Sequence, residues 1–280
     1  MKVAGNPQIL SVFGGCVLAI VCGLSTPCQA QIVPLTDNNS LVQINTGTSD
    51  GMYSWMVDNI PVLHQQWFWF RVGGAGAASP INTLSPPVIT PSSASSVSVK
   101  YTNPFMSVEV KYSLQGGMLG SGVSDVGEQI LINNISAQTL DLHFFQYSDF
   151  RLGNTPNSVM LGKNIRGLFN EADQSDSTGT ALSETVISPG ANHGEAALLG
   201  QTLSEFASAS FTSLSDAATA GPGQTTWAFE WDASLGPGGS LLIGKDKRVD
   251  VSPLIPEPSS LALVSVGLIA YGVSRRRRAV

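Results

Sequence analysis

Apolar and polar residues alternate in short runs along most of this chain, and clusters of Gly, Pro, Asn and Asp separate the runs. Segments 40–46, 52–57, 62–72, 97–102, 106–114, 128–132, 140–150, 225–231 and 240–243 read as strands, with a shorter one inside 158–169. The breaks are turn chemistry: Ser49-Asp50-Gly51, Asp58-Asn59-Ile60-Pro61, Asn103-Pro104 and Gly236-Pro237-Gly238-Gly239. Many short strands at this spacing predict an all-β single domain, a β-sandwich or jelly-roll-like. Two stretches depart from the pattern. Residues 73–96, rich in Gly, Ala, Ser and Pro, read as a long surface loop. Within 171–223, residues 200–214 read as a helix capped by Thr202, with Glu205 three positions on and Leu203, Phe206 and Ala207 on one face.

The two ends follow other rules. Lys2 is the only charge in the first thirty residues, and an apolar run over 9–24 ends at Thr26-Pro27. Cys28 and Ala30 then place small residues three and one positions before Gln31. Residues 1–30 therefore read as a secretory signal peptide cut between Ala30 and Gln31. The alternatives are an uncleaved anchor, which so short an apolar run disfavours, and lipidation at a cysteine, which Pro27 before Cys28 disfavours. All three cysteines (Cys16, Cys22 and Cys28) lie in this leader. The mature body, 31–254, then has neither disulfides nor thiolate metal sites, and it must be held together by core burial.

The last segment, 255–280, has three parts in order. Pro256-Glu257-Pro258 stops regular structure, an apolar stretch follows over 261–273, and Arg275, Arg276, Arg277 and Arg278 close it. As a helix of about fifteen residues, the apolar stretch spans roughly 22 Å, a short transmembrane helix pinned to the cytoplasmic side by its arginines. A core helix does not end a chain on four arginines and two residues more. This arrangement closely resembles the PEP-CTERM sorting signal of Gram-negative bacteria. The resemblance implies processing near Pro-Glu-Pro by an exosortase-type enzyme, transient anchoring in the inner membrane, and delivery to the cell surface or the extracellular polymer matrix. It names a destination and no activity. Gln66-Trp67-Phe68-Trp69-Phe70-Arg71, residues 143–150 and Trp227-Ala228-Phe229-Glu230-Trp231 also resemble segments that recur among PEP-CTERM proteins.

Charge narrows the partners. Between residues 31 and 258, nine basic residues stand against twenty acidic ones, a net charge of −11. Such a body lacks the basic footprint that nucleic acid or an anionic lipid surface requires.

No catalytic constellation emerges. Gly47-Thr48-Ser49-Asp50-Gly51 matches a nucleophile-elbow pattern, but that elbow needs a helix after it, and Met52-Tyr53-Ser54-Trp55 reads as strand. His193-Gly194-Glu195 lacks the cysteines a zinc deaminase site demands. His143 and Asp149 share a strand face but lie roughly 20 Å apart along it. Gly73-Gly74-Ala75-Gly76 is a glycine run leading into Pro80, not into a helix. Asp173, Ser175, Asp176, Ser177 and Thr178 offer oxygens to Ca²⁺ without the spacing of a Ca²⁺ loop. The aromatics carry the sharper alternative. Trp67 and Trp69 share a strand face, as do Trp227 and Trp231; exposed, they would stack on sugar rings, and buried, they form core. The composition favours core. The sequence thus reads as an exported, non-enzymatic surface or matrix protein with a structural or adhesive role. The alternative is a module binding the cell's own exopolysaccharide, and a hydrolase ranks third.

Overall fold

The computed structural model describes residues 1, 31–153 and 156–251. The expected signal peptide and C-terminal helix lie outside them. No helix among the described residues is long and apolar enough to cross a membrane.

The body is nearly all β. Its first strands are β1 (Ile32–Asp37), β2 (Ser40–Asn45), β3 (Gly51–Val57), β4 (Ile60–Val72), β5 (Ser79–Pro80), β6 (Val88–Ser93), β7 (Ser96–Thr102), β8 (Met106–Gly116) and β9 (Val123–Asn134). They continue as β10 (Leu140–Phe150), β11 (Asn157–Lys163), β12 (Phe169–Ser175), β13 (Ala181–Ser188), β14 (His193–Leu198), β15 (Thr219–Gly223), β16 (Thr225–Leu235) and β17 (Ser240–Asp250). One helical turn and a half, α1 (Gln201–Phe206), precedes β15.

Two antiparallel sheets pack face to face. The first runs β1-β2-β3-β4-β10-β16-β14, with β5 added beside β4; the second runs β15-β11-β12-β13-β17-β9-β8-β7-β6. Most neighbours are joined by hairpins. At the β3–β4 turn, Asp58 and Asn59 both take positive φ (49° and 66°), as a two-residue turn of type I′ demands. Strand pairing therefore resumes at Ile60, two residues earlier than Pro61 led the sequence to predict. Asp58 also accepts the Gly120 and Gly122 amides at 2.7 and 2.9 Å and the Asn39 side-chain amide at 3.0 Å. These bonds, the Gly120 amide foremost, lower its pKa despite opposing desolvation, and they pin the β8–β9 loop to this turn.

Alternation fixes which side chains enter the space between the sheets. Trp55, Phe68, Phe144, Phe150 and Trp227 are fully buried there, and Phe150 stacks on Trp227 at 5.3 Å between centroids. Each such side chain contributes about 1.5–3 kcal/mol on burial, which supplies cohesion without disulfides.

Several expectations are corrected. The sheets hold eight and nine strands, whereas a jelly roll divides about eight strands between both. Stretch 73–96 is not one loop, because β5, a 3-10 turn (Ile81–Thr83) and β6 interrupt it. Region 171–223 contributes most of β12 and all of β13, β14 and β15. The helix stops at Phe206, well short of 214. Its N-cap is Gly200, with φ of 85°, and the Thr202 hydroxyl donates to Glu195 Oε1 at 2.6 Å instead of capping.

The sheet edges are guarded. Pro34 lies in edge strand β1, Pro91 in edge strand β6 and Pro222 in edge strand β15.

Candidate functional site

Sheet register gathers the titratable side chains onto the outer face of the first sheet. His143 of β10 pairs with Asp232 of β16 on one side and Arg71 of β4 on the other. One step along, Glu230 of β16 lies between Phe145 of β10 and His193 of β14. His143 Nδ1 comes within 2.6 Å of Asp232 Oδ1 and 3.1 Å of Glu230 Oε1, and its Nε2 lies 4.0 Å from Asp141 Oδ1. His193 Nε2 approaches Asp232 Oδ2 at 3.5 Å, and its Nδ1 approaches Asp216 Oδ1 at 3.1 Å. The donor atoms of His143, Glu230 and Asp232 all lie within 4.8 Å of one another, a set able to hold a metal ion.

Residues 199–218 fold over this face. Phe206 and Phe211 pack on Phe145, and Phe206 also on Trp69. Arg71 donates to the carbonyls of Gly73 (2.9 Å), Phe211 (3.4 Å) and Thr212 (2.6 Å), its guanidinium 5.3 Å from the Phe211 ring. The Ser213 hydroxyl and the Leu214 amide donate to Glu230 Oε2 at 2.9 and 2.8 Å. Burial raises the Glu230 pKa and outweighs those bonds, with Asp232 adding to the rise. Nearby, Glu195 accepts Thr202 and the Ser215 amide (3.1 Å). Glu205 beside it is pushed up to about 7, by burial first and then by Glu195. A cavity of about 510 Å³ opens next to these two carboxylates, with Gln201, Ser204 and Ser208 on its wall.

A second charged cluster is sealed between the sheets. Lys245 and Lys247 of β17, Glu128 of β9 and Glu184 of β13 have side chains without solvent exposure. Glu128 Oε2 lies 2.6 Å from Lys245 Nζ and 2.7 Å from Lys247 Nζ. Glu184 Oε1 stands 3.3 and 3.7 Å from the same ammonium groups. Gln146 Nε2 donates to both Glu184 oxygens at 2.8 Å, and its Oε1 accepts from Lys245. Burial opposes charge on Lys247 and Glu128, but their partners win: the Lys247 pKa is raised and the Glu128 pKa lowered. Burial lowers the Lys245 pKa despite Glu128 beside it, so two lysines face two glutamates and none of the four reaches solvent.

The residues singled out in the sequence take these positions. Trp67, Trp227 and Trp231 are 0–1% exposed and Trp69 6%, so none presents a ring face to solvent. Trp67 donates to Asn82 Oδ1 (3.2 Å), Trp227 to Glu184 Oε2 (2.9 Å) and Trp231 to the Pro189 carbonyl (3.0 Å). Ser49 sits in the β2–β3 turn with a strand following it, so the elbow geometry is absent. Asp149 pairs with His64 at 3.0 Å, not with His143. Asp176 turns its carboxylate into the β12–β13 turn and accepts the Thr178 and Thr180 amides (2.8 and 2.9 Å), a use of those oxygens that needs no Ca²⁺. Pro256, Glu257, Pro258, the four arginines and Ala30 lie outside the described residues; Gln31 is exposed at their border. Sequence reasoning missed Glu230, Asp232 and Asp216 as partners of the two histidines, because they come from other strands and a loop.

The fold has solved counterparts. The body is similar to a galactose mutarotase related enzyme from Lactobacillus acidophilus (8% identity, TM-score 0.55, covering 78% of this chain and 97% of that one). It is likewise similar to a putative aldose 1-epimerase from Escherichia coli K12 (10%, 0.53, 79% and 99%). A bacterial glucoamylase complexed with acarbose also matches (9%, 0.53), through 85% of this chain and 34% of that one. At such identities the likeness is one of fold. No curated protein matches the chain by sequence. Residues 254–278 match the PEP-CTERM protein-sorting motif. The chain thus carries a PEP-CTERM sorting motif, and the motif implies export, processing by exosortase and sorting to the cell surface.

Proposed function

We propose that this protein is a non-enzymatic component of the cell surface or its polymer matrix, with a structural or adhesive role. Exosortase would act near Pro256-Glu257-Pro258 while the apolar stretch holds the chain transiently in the inner membrane. One observation carries the non-enzymatic part. The carboxylate that could act as a base on the first sheet, Glu230, is fully buried under the segment folded over it, its Oε2 accepting from Ser213 and Leu214 and its Oε1 held 3.1 Å from His143 Nδ1. A general base needs a lone pair free within reach of its substrate. The test is an NMR assay of anomer exchange on glucose and galactose with the exported protein. Exchange at the buffer rate supports the proposal. Faster exchange that disappears in Glu230→Gln overturns it.

A second reading, carbohydrate binding, is supported by a different surface. The outer face of the second sheet carries a groove of about 600 Å³, where Ser98, Lys111, Ser113, Gln129 and Asp246 surround the small residues Gly127 and Gly244. Its size suits a ligand of a few sugar units, and its hydroxyl, amide and charged groups suit theirs. The mutarotase- and glucoamylase-type neighbours add to this reading by fold alone. Pull-down with the producing cell's exopolysaccharide tests it: retention lost in Lys111→Ala/Gln129→Ala supports groove binding, and no retention of folded protein disposes of it.

A further inference from the structure

We propose that His143, Glu230, Asp232 and His193 form a binding site for a divalent transition metal of the Zn²⁺ class, one that staples residues 213–216 to the first sheet. The inference is independent of whether the protein binds glycans.

Donor spacing is the first argument. Zn²⁺ takes imidazole nitrogen and carboxylate oxygen at about 2.0–2.2 Å, which leaves adjacent donors roughly 3–3.5 Å apart in a tetrahedron. His143 Nδ1 lies 3.1 Å from Glu230 Oε1 and 2.6 Å from Asp232 Oδ1, so a shift of well under an ångström opens the gap to that size. His193 supplies a second nitrogen from the far side, its Nε2 3.5 Å from Asp232 Oδ2. The four residues come from three adjacent strands, β10, β16 and β14, whose pairing fixes their relative positions.

The surrounding groups are the second argument. Metal-bound imidazoles donate their other N–H to a carboxylate or carbonyl, which fixes ring and tautomer. Asp141 stands 4.0 Å from His143 Nε2, and Asp216 stands 3.1 Å from His193 Nδ1. Glu230, with Oε1 facing the site, has Oε2 held by Ser213 and Leu214. Glu230 and His193 are thus oriented through an atom other than the donating one, and Asp141 stands near enough to serve His143 after a small shift. Charge agrees as well: four carboxylates gather around two imidazoles, and a dication would offset part of their charge.

The chemistry selects the ion. Two imidazoles with two carboxylates suit Zn²⁺ and its first-row neighbours, whereas Ca²⁺ takes an all-oxygen shell. His143, Glu230 and Asp232 supply three donors within reach of one ion, and His193, 3.5 Å from Asp232 Oδ2, would complete the four that mark a structural site. Since Asp216, Ser213 and Leu214 belong to the segment that covers the sheet, the ion would lock that cover in place.

The experiment is chelator treatment of the exported protein, then calorimetric titration with ZnCl₂, metal analysis and thermal melting. We expect one Zn²⁺ per chain and a melting temperature that rises with Zn²⁺. His143→Gln should weaken binding by at least a hundredfold, and the more exposed His193→Gln should do so while keeping the metal-free melting temperature. Asp141→Asn, which removes a positioning residue, should weaken it by about 10–100-fold. His64→Gln, remote from the cluster, should bind like the wild type. Absence of stoichiometric binding overturns the proposal, as does wild-type affinity in both His143→Gln and His193→Gln.

Discussion

Trp227 on the first sheet donates its indole N–H to Glu184 on the second at 2.9 Å, across the middle of the core. The bond joins the aromatic layer to the sealed cluster of Lys245, Lys247, Glu128 and Glu184. A buried carboxylate is tolerable only with partners, and here indole, amide and two ammonium groups share the load. Because the four charges balance, removing one leaves an uncompensated charge with no route to water.

Lys247→Met should therefore cost about 3–5 kcal/mol in denaturant unfolding. Adding Glu128→Gln restores the balance and should recover most of the loss. A single variant as stable as the wild type would show that the cluster does not act as one unit.

Phe206→Ala removes the side chain that touches Trp69 and Phe145 and holds the cover on the first sheet. The expected cost is about 3–5 kcal/mol. Hydrogen exchange should speed up in residues 199–218 well before it does in β10. Uniform loss of protection across both would mean that cover and sheet open together.

Glu205, pushed up to about 7, predicts an inverted pH dependence at its cavity. The folded state binds this proton more tightly than the unfolded chain, so the contribution to stability is complete below about pH 4.5. It is lost as pH rises through 7. Glu205→Gln should raise the melting temperature at pH 8 and leave it unchanged near pH 4. Equal effects at both pH values would rule out the ionisation of Glu205 in this half-buried setting as the cause.

Processing at both ends makes a prediction in mass. Intact-mass analysis of the exported form should find a chain beginning at Gln31 and lacking Arg275, Arg276, Arg277 and Arg278. A full-length surface species would refute both cuts.

Much of the architecture was legible in the residue pattern, and what escaped has physical causes. Strand β10 coincides with the predicted 140–150 because its apolar residues are dense and the polar Thr139 and Arg151 flank it. Strand β17 was cut short at residue 243, because Lys245-Asp246-Lys247-Arg248 looks like a solvated run. The two lysines instead point inward, towards carboxylates from β9 and β13 that no local window contains. Strand β12 hid for a similar reason, since Asn-Glu-Ala-Asp-Gln-Ser shows little apolar alternation and is placed by Phe169, Ala172 and Gln174 facing in. The histidine cluster escaped because alternation relates residues along one strand, while register across strands decides who meets whom. The tail was legible because its order, proline, apolar stretch and arginines, is local.

Prolines 34, 91 and 222 take on a further meaning at the cell surface. Wherever two exported copies meet there, bare strand margins would let one molecule lengthen its sheet with the next. A ring nitrogen in place of an amide proton breaks that templating row at three of the four margins. Fibre-like backbone zipping is thereby disfavoured at those margins, and cohesion between copies would come from side chains or from a shared polymer.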